Sequence, residues 1–171
     1  MLVVMRARIA VLAAGVALSG VLSFGAGQLE AAPIRVCPSS DSGVLRTQLP
    51  GARDELVAPG TTGVLLCRYR GLDPYARRFR LIASGRVRKA VTVRELRTQF
   101  NALPQSAPGP TACPADFDSM IVAYFRYARG PDDVVTVDTT GCEGVSNGRV
   151  HRTAALGPGP VLVRELEALT R

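Results

Sequence analysis

The strongest constraint on this chain is the placement of its four cysteines, Cys37, Cys67, Cys113 and Cys142. All four follow a long uncharged stretch, and an even count in a small exported chain reads as a disulfide framework. Three pairings are open. The near-equal separations, 30 and 29 residues, favour Cys37 with Cys67 and Cys113 with Cys142, two similar staples in series. Closing a loop of this size stabilises by roughly 3.5 kcal/mol on the chain-entropy account. A metal site is the competing use of cysteine. No Cys-x-x-Cys is present and His151 is the only histidine, so zinc would lack its usual ligand set.

Export is written at the front of the chain. Arg6 and Arg8 precede a run from Ile9 to Leu29 that carries no charge. A positive start, an apolar stretch and then small residues form the layout of a secretory signal. Residues 1–32 therefore read as a signal peptide, cleaved between Gly25 and Ala32, and the protein is expected outside the cell or on its wall. A retained anchor is the alternative, since about 20 apolar residues can span a bilayer. Against it, the strongly apolar part is short, rich in Ala and Gly, and broken by Ser19-Gly20. Membrane contact is expected only through an uncleaved N-terminal segment. Arg35 before Cys37 argues against a lipoprotein, and Met5 is a second candidate start.

The remaining chain, taken from 171 residues, suits one domain or two small halves. Aromatics make up 5% and tryptophan is absent, so the core should be mostly aliphatic. Residues 64–69 read as a strand, and 79–83 and 86–89 as two short strands around Ser84-Gly85. Thr92 to Glu95 has the form of a capping box. Behind it Val93, Leu96, Phe100 and Leu103 fall on one helical face, ended by Pro104. Residues 105–112 are rich in Pro, Gly and Ser and read as a linker. Then 120–127 and 134–137 read as strands, and Asn147-Gly148 as a type I′ hairpin turn between two more. Pro160 suits the first turn of a last helix with Leu162, Val163, Leu166 and Leu169 as its stripe.

The pattern predicts an α+β fold: an antiparallel meander packed by helices and held by two disulfides. Its segments would be a first sheet-helix half (33–104), the linker, and a second half (113–171). Short peptides recur in the same order in both halves: Cys37-Pro38 and Cys113-Pro114, Arg68-Tyr69 and Arg126-Tyr127, Val93-Arg-Glu-Leu96 and Val163-Arg-Glu-Leu166. Duplication explains this, and so does chance recurrence in a chain rich in Arg, Val and Leu.

Candidate chemistry is sparse. Gly144-Val-Ser146-Asn-Gly148 matches the nucleophile-elbow pattern, but that motif needs a strand, a turn and then a helix; a hairpin turn accounts for it here. Asp54-Glu55 and Asp132-Asp133 are paired acids beside Pro/Gly turns, where solvation is the ordinary state. No enzyme and no cofactor is expected.

Charge carries more. Twenty of the 21 basic residues are arginine, and from Arg68 to Arg97 ten basic residues face only Asp73 and Glu95, a surplus of eight. Arg68 and Arg70, Arg78 and Arg80, and Arg86 and Arg88 are each two apart. Alternation along strands would place the three pairs on one cationic face, with Leu65, Cys67, Phe79, Leu81 and Val87 turned to the helix headed by Thr92. Leu66 and Ile82 would be exceptions on the arginine face. Such a face fits an anionic cell-wall polymer or an acidic protein. Too few aromatics accompany it for a nucleic-acid stacking platform.

The layout is similar to small exported four-cysteine proteins of high-GC actinobacteria, a group without an assigned activity. One stretch also resembles the bacterial subtilisin-inhibitor-like family: Phe100-Asn101-Ala102-Leu103, then Cys113-Pro114-Ala115-Asp116-Phe117-Asp118, then Cys142. The resemblance covers roughly 45 residues. It implies a secreted serine protease inhibitor with a reactive loop at residues 113–118, centred on Pro114, Ala115 and Asp116. Two features depart from that family: its other disulfide is short, and Ala115 with Asp116 makes a poor anchor for most subtilisin-like pockets.

Overall fold

The computed structural model describes residues 36–39, 54–73, 78–106 and 119–171, excepting the side chains of residues 72, 73 and 78. The expected signal segment and residues 107–118 lie outside these. The order of elements is β1 (Thr61–Asp73), β2 (Arg78–Val87), α1 (Ala90–Asn101), β3 (Ser119–Tyr127), β4 (Asp133–Asp138), β5 (Gly144–Ser146), β6 (His151–Thr153) and α2 (Gly159–Leu169). Six strands form one sheet, ordered β2-β1-β3-β4-β5-β6, and every neighbouring pair is antiparallel. The α+β class with an antiparallel sheet is thus the observed one. The meander holds only from β3 onward. After β2 the chain crosses by way of α1 and returns beside β1, so β1 and β3 pair at the middle of the sheet. Gln105, at the start of the expected linker, forms a bridge with Arg152.

Helices and strands follow their apolar spacing. Val93, Leu96, Phe100 and Leu103 are all buried, as are Leu162, Val163 and Leu166 of α2. Pro160 stands in the first turn of α2. The capping box does not form. α1 begins at Ala90 with Lys89 as its cap and no side-chain cap bond. Val93 N already donates to Lys89 O, so the Glu95 amide lies beyond the first turn, where the helical ladder uses it. The two short strands expected around Ser84-Gly85 are one strand, β2. Gly85 lies under the end of α2, and a Cβ there would collide with the Leu169 carbonyl. A hairpin does join β5 and β6, but its turn is not type I′. That turn needs positive φ at both central residues, and Gly148 has it (86°) while Asn147 does not.

Both faces of the central strands are covered. Val64, Leu66, Ile121, Ala123 and Phe125 point to α1 and α2 in one cluster. Leu65, Cys67, Tyr69, Met120, Val122 and Tyr124 point the other way, into a second cluster with Cys37. The Cys37–Cys67 disulfide, with Cα atoms 5.6 Å apart, brings residues 36–39 onto that outer face. There Tyr69 donates its hydroxyl to Pro38 O, and Leu81 N donates to Ser39 O. Among the described residues, the aromatics Tyr69, Tyr124, Phe100 and Phe125 are the largest fully buried side chains. Phe100 and Phe125 meet edge to face at 5.2 Å.

The covered faces reverse the expected assignment. The helices pack on the Val64/Leu66 parity, which is also that of Arg68, and the Leu65/Cys67 parity faces away from them. Leu66 is therefore core rather than an exception.

Candidate functional site

The six arginines expected on one face divide between two. Cross-strand partners share a face. Leu65 lies opposite Arg86, which assigns Arg86 to the outer face. Further along β2 the register shifts: Arg68 lies opposite Ala83 but Tyr69 opposite Leu81, leaving Ile82 as the extra residue of a β-bulge. A one-residue insertion inverts the alternation. Arg80 consequently pairs with Arg70 on the helix-side parity, while Leu81 and Phe79 join the outer cluster. Arg78 follows in the register opposite Asp73. Arg88 comes directly after β2.

On the helix side, Arg68 is not an open cation. Its Nη2 lies 2.7 Å from Glu167 Oε1 of α2, and both side chains are about one-third exposed or less. Arg70 and Arg80 are exposed beyond it.

On the outer side, the arginines meet a groove of about 370 Å³. Arg86, Arg88 and Arg126 line it together with Thr62, Gly63, Val64, Leu65 and Val87. Among these lining residues there is no carboxylate. Arg126 lies opposite Gly63 across the β1–β3 pairing. Val64 lies opposite Val87 on the other side, which brings Arg88 to the flank of the same glycine. Arg86, opposite Leu65, sits diagonally. Gly63 is buried and lacks a side chain, so the floor between the arginines is backbone; a Cβ there would stand 3.3 Å from Val87 O. Arg86 and Arg88 are exposed and Arg126 is half-buried.

Sequence reasoning missed Arg126. It stands alone at the end of an apolar strand, two residues beyond Tyr124, and only the pairing of β1 with β3 brings it to Arg86 and Arg88. Its recurrence as Arg126-Tyr127 was the one available signal.

The other candidates resolve as follows. Ser146 Oγ accepts a hydrogen bond from Gly148 N at 2.9 Å inside the β5–β6 hairpin, and a strand follows it. His151 is exposed on β6. Asp132 and Asp133 are buried, against expectation, and residues 54–58 fold onto Asp133. Asp133 Oδ2 accepts from Ala58 N at 3.1 Å and from the Tyr127 hydroxyl in a short bond. Burial, followed by that bond, raises the Tyr127 phenol well above its ordinary value. Asn101 and Asn147 hold the same segment: Asn101 exchanges bonds with both backbone groups of Val57, and Asn147 donates to Glu55 O and Leu56 O. These polar groups fasten the loop at residues 54–58.

Cys113, Pro114, Ala115 and Asp116 lie outside the described residues, and with them the expected reactive loop and the expected partner of Cys142. No helix among the described residues is long and apolar enough to cross a membrane. Compared with known proteins, the chain matches no family model, no curated protein and no solved structure.

Proposed function

We propose that this chain is an exported, non-enzymatic binding module that takes an anionic extracellular partner in the groove at Arg86, Arg88 and Arg126. The observation that supports this reading is that three arginines, from two strands and a strand end, line one concave patch. Charge in a concavity focuses the field and raises the local concentration of anions. The overall surplus of basic residues, +7, adds long-range attraction. A wall polymer or an acidic protein surface meets these requirements.

The test is retention on an anionic resin under a salt gradient. Arg86→Gln with Arg126→Gln should elute at clearly lower salt than the wild type. Arg164→Gln with Arg171→Gln, an equal loss of charge on exposed residues at the end of the chain, should elute much closer to it. Equal shifts for both pairs would mean that net charge alone governs binding, and the groove would have no special role.

A further inference from the structure

We infer that Asn147-Gly148, in the β5–β6 hairpin, is a self-modification site: a deamidation switch that the segment at residues 54–58 holds shut and that, once turned, releases that segment. The chain has two asparagines, Asn101 and Asn147, and both tie this segment down. Asn147 alone is followed by glycine, which has no Cβ to hinder attack by its backbone nitrogen. The chemistry needs only water. Gly148 N gives up its proton and attacks Asn147 Cγ. The N–Cγ bond forms, the Cγ–Nδ2 bond breaks, and Nδ2 takes up a proton and leaves as ammonia. Water then opens the cyclic imide at either carbonyl, leaving aspartate or isoaspartate.

The reacting groups are all engaged in the folded protein. Asn147 is buried, and its Nδ2 donates to Glu55 O at 3.1 Å and to Leu56 O at 3.2 Å. Its Oδ1 accepts from Arg149 N at 3.0 Å and Val150 N at 2.8 Å. Gly148 N, the nucleophile, donates to Ser146 Oγ at 2.9 Å. Reaction requires that Nδ2 leave both carbonyls and that Gly148 N leave Ser146 Oγ, so it follows local opening of the segment. Other groups oppose that opening. Asn101 exchanges bonds with Val57, and Asp133 and Tyr127 hold the two backbone groups of Ala58. The coupling also runs in reverse. An ionised aspartate at position 147 has no donor for Glu55 O and Leu56 O, and it sets a negative charge against both carbonyls.

Peptide mapping for isoaspartate at position 147, during incubation of the full chain at constant pH, tests this. The folded wild type should convert at least about tenfold more slowly than the same chain in urea. Asn101→Ala removes the other asparagine from the segment and should speed conversion of the folded chain about tenfold. Tyr127→Phe, a milder change at Ala58, should speed it less and serves if Asn101→Ala does not fold. Cys37→Ser with Cys67→Ser loosens the outer face, away from this segment, and should leave the rate near that of the wild type. In the reverse direction, Asn147→Asp should speed amide exchange at Leu56, Val57 and Ala58 about tenfold and leave the amides of β1 and β3 unchanged. Equal conversion of the folded and urea-unfolded chains would overturn the gating. So would equal acceleration by the cysteine pair and the segment variants, which would mean that global unfolding governs the reaction. Unchanged exchange at residues 56–58 in Asn147→Asp would overturn the release.

Discussion

On the helix side of the sheet, Leu66, Ile121, Ala123 and Phe125 meet two helices; on the outer side, Cys67, Tyr69, Val122 and Tyr124 meet a short segment held by one disulfide. The same central strands thus bury both parities, but by different means. Where helices cover the sheet, the half-buried Arg68 is matched by Glu167 of α2. Where the cover is short, the sheet continues past it into a groove lined by Arg86, Arg88 and Arg126. The difference teaches that one face of a sheet can be closed by helix packing and the other by a short segment held through a covalent tie.

Breaking the helix side should cost most. Phe100→Ala removes a fully buried ring that packs on Phe125, and such truncations cost about 4 kcal/mol. The urea midpoint should fall accordingly, whether the disulfide is intact or reduced. Opening the outer side comes next. Reducing Cys37–Cys67, or Cys37→Ser with Cys67→Ser, should cost about 3.5 kcal/mol. Tyr69, which loses Pro38 as its hydroxyl partner, should then become accessible to a soluble quencher.

A smaller effect separates both faces from the loop at 54–58. Tyr127→Phe removes the hydroxyl shared by Asp133 and Ala58 and should cost about 1.5 kcal/mol at neutral pH. The Tyr127 phenol holds its proton more tightly folded than unfolded. Its contribution is therefore fully present below the ordinary phenol value, near 10, and is lost as pH rises above it. Alkaline titration of stability should be steeper in the wild type than in Tyr127→Phe. The smallest effect is expected at Glu167→Gln, since a partly exposed ion pair contributes under about 1 kcal/mol. Its thermal midpoint should barely move.

How much of this was legible follows the kind of signal each element carries. The helices could be read because Val93, Leu96, Phe100 and Leu103, and then Leu162, Val163 and Leu166, repeat at helical spacing against polar neighbours. The first disulfide could be read from its spacing. The covered face could not. Val64, Leu65, Leu66 and Cys67 are all buried, so β1 shows no alternation from which to choose a side. The bulge at Ile82 was also invisible, since nothing in Leu81-Ile82-Ala83 marks an unpaired residue, yet it moves Arg80 and Arg86 to opposite faces. The contact that covers Asp133 comes from residues 54–58, far away in the chain. For the groove, two of its three arginines stood out by local density; the third depended on a long-range strand pairing.

The most direct test of the central claim is a map of backbone amide shifts as a poly(glycerol phosphate) or sulfated probe is added to the full chain. The account predicts that saturable changes concentrate at Thr62, Gly63, Leu65, Arg86, Arg88 and Arg126 on the outer face. Changes centred instead on Arg70 and Arg80, or spread evenly over the exposed arginines of both faces, would contradict it.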